Sequence, residues 1–219
     1  MNDILMFVLS MSIIIPAIIG IVRWRVIDAA YYPFIYNIVV VLLVEIINGT
    51  HKFSVATTEL LNIFSIIDFC LFAWLFHNWG LFNYNKNRFT IIITSFCVVW
   101  IYITFFLIGF TKINNPFLLI YSFALIIFSV TTFNKIVVQE RVNIFTNAKF
   151  WICIGIIIFY SFFIVTRATD LSAGLLLTIS KPFLRSLQTI NNYSNVLVNL
   201  LYAVAVIWIP RKKNITSLL

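Results

Sequence analysis

Two acidic side chains lie inside long apolar segments of this chain, where acidic residues are rare. Glu45 follows the apolar run 38–44, and Asp68 lies near the middle of the apolar segment 55–78. An ionised side chain at the centre of a membrane helix costs about 2.5–3.5 kcal/mol on insertion scales, so such residues usually face the bundle interior and mark a functional site. A carboxylate in this position can orient a ligand or carry a proton. Alternatively, the two carboxyls are protonated or hydrogen-bonded packing elements that fix the register of the helices.

The segment around Asp68 carries a polar side chain at every third position. Glu59, Asn62, Ser65 and Asp68 form this series. Because each step of three residues turns an α-helix by about 300°, the series spirals and only neighbours in it can share a cavity. Glu59 lies near the predicted helix start and is interpreted as a capping residue.

The two buried carboxyls are expected to find hydrogen-bond partners inside the bundle, because lipid cannot solvate them. Asn62 would lie at the depth of Glu45 if their helices run antiparallel, so a hydrogen bond between these two side chains is predicted. The expected partners of Glu45 and Asp68 are Asn62, Ser65, Asn199, Tyr202 or an ordered water.

The last apolar segment contributes three polar side chains on one helix face. Asn195, Asn199 and Tyr202 are spaced four and three residues apart, a spacing that brings side chains together on a helix surface. Interhelical hydrogen bonds of this kind contribute about 0.6 kcal/mol on average, so one interpretation is that they join helices. The other is that Asn199 and Tyr202 close an outward-opening pocket together with Glu45 and Asn62.

Several kinds of catalytic site are missing from the sequence. His51 and His77 are the only histidines, and they fall at opposite ends of one segment, so they cannot join in one metal site. The sequence has no H-E-x-x-H or G-x-S-x-G stretch, which argues against a membrane zinc hydrolase or a serine hydrolase. No lysine lies in the middle of the last apolar segment, so a retinal Schiff base has no attachment point. We therefore predict no enzymatic activity, no metal and no cofactor.

The composition indicates that the elements positioning these residues cross a membrane. Hydrophobic residues make up 62% of the 219 residues, charged residues make up 10%, and mean hydropathy is +1.04. Soluble domains carry about 25% charged residues. Crossing the hydrocarbon core takes about 20 apolar helical residues, and helices are expected because unpaired backbone groups in lipid are costly. We predict an all-α membrane protein, a seven-transmembrane-helix bundle in one domain over residues 1–219, with spans near 4–22, 33–48, 55–78, 90–110, 116–137, 150–166 and 195–210.

Basic residues are distributed unevenly between alternate connections. With the amino terminus outside, ten of the fifteen Lys and Arg residues lie on the cytoplasmic side. The positive-inside rule therefore predicts an outside amino terminus and a cytoplasmic carboxyl terminus. This bias and contact with anionic lipid headgroups explain the net charge of +8. Nucleic acid is not a predicted partner, because the basic residues are dispersed in twos and threes. The ten are Arg23, Arg25, Lys86, Arg88, Lys135, Arg141, Lys149, Arg211, Lys212 and Lys213.

Two stretches leave helix boundaries open. Pro16 lies inside the first span and should kink it or interrupt its hydrogen bonding. Residues 172–190 are moderately apolar and contain Lys181, Pro182 and Arg185, so they could form an interfacial helix broken near Pro182. They could equally be an outward extension of the last helix.

Four stretches of the chain resemble a family of small, uncharacterised seven-helix membrane proteins of Bacteroidota. They are the run EIIN at 45–48, residues 61–69 around Asp68, residues 194–203, and the run IWIP at 207–210. Members are typically acidic at the position of Asp68, often with Glu. The resemblance implies a multi-pass protein of the bacterial cell inner membrane without a soluble domain, and a place beside two-component signalling genes. It implies no particular activity.

Two functions are compatible with these observations. The first is a receptor-like or accessory signalling protein, in which a ligand or lipid change at an outer pocket shifts the helices, and the basic inner loops pass the shift to a partner protein. The second is a small transporter or proton-coupled channel that uses Glu45 and Asp68 as a titrating pair. A transporter needs a polar route to both faces, whereas residues 70–74 below Asp68 are expected to be dry. We therefore favour the receptor-like function, with membrane lipids and a cytoplasmic signalling protein as partners and the oligomeric state unassigned.

Overall fold

Helices account for nearly all of the residues that the structure describes. The structure is a computed structural model, and it describes residues 9–50, 55–82, 87–139, 143–174 and 180–212. The α-helices are α1 (Ile14–Arg23), α2 (Tyr32–Thr50), α3 (Val55–Asn78), α4 (Asn87–Ile101), α5 (Asn115–Gln139), α6 (Ala148–Gly174) and α7 (Lys181–Trp208). Short 3-10 turns precede α1, α2 and α6, and a π-helical segment, Tyr102–Ile108, continues α4. The all-α fold predicted from the composition is thus confirmed.

Six of these helices are long and apolar enough to cross a membrane within the described residues. Their spanning parts are Ala29–Gly49, Thr58–Asn78, Asn87–Ile108, Asn115–Val138, Ala148–Leu171 and Pro182–Trp208. A multi-pass membrane protein is therefore supported. The predicted first span, 4–22, corresponds to the shorter apolar helix Met11–Arg23, and its residues 4–8 lie outside the described residues.

The start of the last helix differs from the predicted span 195–210. Residues 181–190 belong to α7 and extend it toward its amino-terminal end, as the second alternative predicted for this part of 172–190. Residues 172–174 belong to α6 instead, and 175–179 lie outside the described residues. Pro182 lies in the first turn of α7, where its missing N–H has no intrahelical partner to lose. The regular helix α1 likewise begins at Ile14, two residues before Pro16, after a 3-10 turn.

Six helices pack as a closed ring, and one lies outside it. Going round the ring, α1 contacts α2, α2 contacts α3, α3 contacts α5, α5 contacts α6, α6 contacts α7, and α7 returns to α1. Helix α4 packs on α3 and α5 and buries no side chain of its own within Asn87–Ile101. The interior of the bundle is therefore enclosed by α1, α2, α3, α5, α6 and α7.

The bundle has two ends, the Arg23 end and the Ser180 end. The Arg23 end holds the carboxyl ends of α1, α3, α5 and α7, and the Ser180 end holds those of α2 and α6. The half of the ring toward the Arg23 end is mainly an apolar core, although it also buries the Ser129 and Thr132 hydroxyls of α5. Fourteen of its apolar side chains are at most 2% exposed. These residues are Ile27, Phe34, Ile35, Phe69, Phe72, Ala73, Leu75, Phe76, Ile152, Cys153, Ile156, Ala205, Val206 and Ile209.

Hydrogen bonds between distant parts of the chain close the Arg23 end. The Arg23 guanidinium donates to the carbonyl oxygens of Val206, Ile207 and Ile209 at the end of α7. A helix carboxyl end leaves its last carbonyls unpaired and partly negative, so a cationic donor stabilises it. The α1–α2 connection also pairs with the chain after α7: the Asp28 N–H donates to Pro210 O at 2.9 Å and the Lys212 N–H to Val26 O at 2.8 Å.

Candidate functional site

A cavity of about 470 Å³ lies inside the ring, in the half toward the Ser180 end. Five of the ring helices, α2, α3, α5, α6 and α7, line it, together with Ser10 and Ile13 before α1 and Ile113 before α5. Its polar lining groups include carboxyls, carboxamides and phenols, and its apolar lining includes several phenylalanines. Of the residues proposed from sequence, Glu45, Asp68, Asn195, Asn199 and Tyr202 line it, whereas Asn62 and Ser65 do not.

Asp68 forms the polar floor of this cavity and is 3% exposed. Its Oδ1 accepts a hydrogen bond from Asn37 Nδ2 at 2.6 Å, and its Oδ2 accepts one from the Tyr160 hydroxyl. Tyr121 also bonds the carboxyl through its side chain. The prediction that Asp68 points into the bundle and is hydrogen-bonded is confirmed, but the side chains predicted as its partners, Asn62, Ser65, Asn199 and Tyr202, were wrong. The partners come from α2, α5 and α6, and three helices are therefore joined to α3 at this point.

These three partners were not predicted from the sequence. Asn37 is a single amide in the apolar run 34–44, and Tyr121 and Tyr160 each stand within a long apolar helix. A buried polar group in an apolar run needs a hydrogen-bond partner. This requirement is the signal that could have identified Asn37, Tyr121 and Tyr160. Periodicity does not indicate which helices are neighbours, so the pairing itself could not be read from spacing.

Glu45 lies higher on the cavity wall than Asp68. Eight residues separate it from Asn37 on α2, which corresponds to about 12 Å along the helix axis. Its side chain bonds the Ser10 hydroxyl in the turn before α1. The two carboxyls therefore lie at different depths of one cavity, with Asp68 sealed by its partners and Glu45 half-buried on the wall.

Helix α7 presents Asn195, Asn199 and Tyr202 to the same cavity, as their spacing predicted. Asn199 Nδ2 donates to Ser12 Oγ at 2.8 Å, which joins α7 to the turn before α1. This bond fits the interpretation that the amides connect helices, and the lining position fits the pocket interpretation. Tyr202 packs edge-on against Phe34, with ring centroids 5.1 Å apart, and its ring covers Gly155, where an added Cβ would stand 3.0 Å from Cδ1.

The predicted hydrogen bond between Asn62 and Glu45 was wrong. Asn62 Nδ2 donates to the carbonyl oxygens of Phe110 and Lys112, each at 2.9 Å, and its Oδ1 accepts from the Asn114 N–H at 3.0 Å. The amide is therefore used to hold the α4–α5 connection, which folds down beside α3. Ser65 is buried in the polar core, but it is not a partner of Glu45 or Asp68, because its hydroxyl donates to the Asn62 carbonyl oxygen at 2.7 Å within α3.

Three polar atoms that line the upper cavity are buried without a hydrogen-bond partner. They are Asn48 Oδ1, Asn191 Oδ1 and Arg167 Nε. The Arg167 guanidinium uses Nη1 to pair with Asp170 at 3.2 Å, and its Cζ lies 4.9 Å from the centre of the Phe163 ring. Buried polar groups normally have partners, so these atoms are exceptions beside the cavity.

The arrangement is suited to binding a small molecule. Within the described residues no three His, Cys, Asp or Glu side chains lie close enough to hold a metal ion. Below Asp68, toward the Arg23 end, Phe72, Ala73 and Phe76 belong to the apolar core. Of residues 70–74, which were expected to be dry, Phe72 and Ala73 are buried, and the cavity ends at Asp68 and Phe72.

Comparison with known proteins adds no assignment. No family model, no curated protein and no solved structure matches this chain.

Proposed function

We propose that this protein is a receptor-like or accessory signalling protein of the bacterial inner membrane, which binds a small molecule in the cavity between its helices. The observation that carries this proposal is a cavity of about 470 Å³ that ends at the hydrogen-bonded Asp68 floor. Pockets of this size hold drug-sized ligands and combine an apolar lining with a few placed polar groups.

The apolar core below the floor favours sensing over conduction. A conducted ion or solute would have to pass side chains of α2, α3, α6 and α7 that are at most 2% exposed, and none of the fourteen core residues listed above carries a charge. A bound molecule can instead shift the helices that line the cavity without crossing the bundle.

Helix α7 offers a route from the cavity to the Arg23 end. Its upper part lines the cavity through Asn195 and Asn199, and its carboxyl end is held by Arg23 and by the α1–α2 connection. A ligand that displaces α7 would therefore change the geometry of this bonded end. The positive-inside rule predicts that the Arg23 end faces the cytoplasm and the cavity mouth faces outside, so the proposed partner is a cytoplasmic signalling protein.

A ligand screen with a blocked cavity tests the binding step. We expect that some members of a metabolite library raise the apparent melting temperature of the purified protein. The variant Asn195→Trp places a large ring in the cavity and should lose these responses. The matched control Leu197→Trp lies on the same helix at a position that is 48% exposed, and it should keep them. Responses that survive in Asn195→Trp would contradict binding in this cavity.

A small transporter or proton-coupled channel is the second candidate, because Glu45 and Asp68 line one cavity at two depths. Proteoliposomes with an internal pH-sensitive dye separate the two functions. A sensor gives no proton flux in the unmodified protein under an imposed pH gradient. A transporter gives flux that Asp68→Asn abolishes, since an amide cannot release a proton in the hydrocarbon region. The second result would replace the receptor-like proposal.

A further inference from the structure

We propose that the cavity takes an organic ammonium ion with an apolar body, and that Glu45 binds the ammonium group. This inference rests on the proposed function, because it names the ligand class of the same cavity. It is carried by the charge of the lining, the partners of each carboxyl, the unpartnered polar atoms and the aromatic rings.

The charged groups of the lining leave a net negative balance. Among the described lining residues the carboxyls are Glu45 and Asp68, and the basic residue is Arg167. Arg167 is already paired with Asp170, which does not line the cavity. No described residue forms an ion pair with either cavity carboxyl. Because an apolar surrounding strengthens charge interactions, this balance favours a cation over an anion.

The two carboxyls differ in how readily they can still accept a hydrogen bond from a ligand. Asp68 is 3% exposed and is bonded by Asn37, Tyr121 and Tyr160. Glu45 bonds Ser10 and stands on the wall of the cavity, half-buried, where a ligand group can reach it. We therefore assign the ammonium contact to Glu45, and we assign Asp68 to the support of the floor.

The unpartnered atoms of the upper cavity indicate a ligand with donor groups. Two of them, Asn48 Oδ1 and Asn191 Oδ1, are acceptors that need a donor. An ammonium group carries up to three N–H donors and no acceptor. The third unpartnered atom, Arg167 Nε, is a donor. The Glu45 carboxyl together with the Asn48 and Asn191 oxygens matches an ammonium group better than it matches a carboxylate or a phosphate.

Aromatic rings surround the path from the mouth to the floor. Cations bind the faces of such rings, and apolar ligand bodies pack against them. The Arg167 guanidinium already lies over the Phe163 ring in this way. The aromatic lining residues are Phe64, Phe72, Tyr121, Phe159, Tyr160, Phe163 and Tyr202.

Three probes with one body and different charges test the inference. They are 4-phenylbutylamine, 4-phenylbutan-1-ol and 4-phenylbutanoate, titrated by calorimetry into the full chain in nanodiscs of zwitterionic lipid at neutral pH. We expect the amine to bind at least tenfold more tightly than the alcohol and the carboxylate to bind most weakly. In Glu45→Gln the amine and the alcohol should bind within about threefold of each other, whereas Glu45→Asp should keep a preference for the amine.

The matched control is Glu59→Gln, which removes a carboxyl of α3 that does not line the cavity. It should keep the full preference for the amine, as in the unmodified protein. Equal binding of amine and alcohol, tighter binding of the carboxylate, or no binding of any probe would overturn the ammonium assignment. If the metabolite screen still gives responses that Asn195→Trp abolishes, the proposed function stands and only the ligand class is wrong.

Discussion

Asp68 shows how a single acidic residue is accommodated at membrane depth. Its two carboxyl oxygens accept hydrogen bonds from Asn37 and Tyr160, and Tyr121 adds a third bond. Each of these donors belongs to a different helix of the ring, so the carboxyl serves as the acceptor that joins α2, α5 and α6 to α3. A buried polar group left without a partner costs about 1–3 kcal/mol. This cost sets the loss of stability expected when Asp68 or one of its partners is replaced.

Loss of the Asp68 carboxyl should destabilise the bundle. Asp68→Ala leaves the Asn37 and Tyr160 donors without their acceptor, and we expect a loss of about 2–4 kcal/mol because the cavity admits only partial rehydration. Asp68→Asn retains one acceptor oxygen and should cost less than Asp68→Ala. Thermal unfolding of the purified protein in detergent measures both. Equal apparent melting temperatures for Asp68→Ala and the unmodified protein would refute this account of the floor.

Tyr160 should contribute a smaller part of the same network. Tyr160→Phe removes one hydroxyl and leaves Asp68 with Asn37 and Tyr121, so we expect a loss of about 1–2 kcal/mol. Tyr193→Phe is the matched control, since Tyr193 is 55% exposed and its hydroxyl should matter little. The comparison uses the same unfolding assay, and a similar effect of both variants would argue against the Asp68 contact.

At the scale of elements, connections and helix contacts are held by a few polar or small residues. Asn62 bonds the chain at Phe110, Lys112 and Asn114, and this fixes the α4–α5 connection after Gly109. Gly109 has φ of +89°, a conformation that side chains disfavour. Gly155 similarly permits α6 to approach α7, because the Tyr202 ring occupies the space that a Cβ would take.

Asn62→Ala should loosen the α4–α5 connection. The substitution removes two donated bonds and one accepted bond, and the backbone N–H of Asn114 loses its acceptor. We expect faster amide hydrogen exchange over residues 110–114 and a loss of about 2–3 kcal/mol. Asn134→Ala serves as the control, because Asn134 is exposed on α5. Unchanged exchange at residues 110–114 would contradict the role assigned to Asn62.

Gly155→Ala should disturb the contact between α6 and α7. The new Cβ overlaps the Tyr202 ring, and overpacking of a filled core typically costs about 1–3 kcal/mol. Tyr202→Ala removes the ring, so Gly155→Ala should cost much less in that background than alone. A double-mutant cycle by thermal unfolding measures this coupling. Additive effects of the two substitutions would mean that the ring moves aside freely.

At the scale of the whole molecule, the ring divides into a cavity half and a packed half. The cavity half carries the carboxyls and most carboxamides, and the packed half carries mainly apolar side chains and ends at the Arg23 bonds. The function that follows depends on which half faces the outside. The charge bias of the connections predicts that the cavity half does.

Cysteine labelling determines this orientation. Thr111 and Asn143 are both exposed and lie at opposite ends of the bundle. In a background that lacks Cys70, Cys97 and Cys153, a membrane-impermeant maleimide added to intact cells should label Thr111→Cys and should not label Asn143→Cys until the membrane is permeabilised. The opposite pattern would place the cavity mouth in the cytoplasm and the Arg23 end outside.

Composition and spacing by themselves determined the helical membrane class, most of the spans, the inward position of Asp68 and the polar face of α7. These properties depend on local hydrophobicity and on the period of the helix, which are both readable along the chain. The tertiary structure alone decided that Asn37, Tyr121 and Tyr160 bond Asp68, that Asn62 holds a connection instead of Glu45, and that α4 lies outside the ring. The period of a helix shows which of its faces is polar. The order and rotation of the packed helices decide which side chains of other helices contact that face.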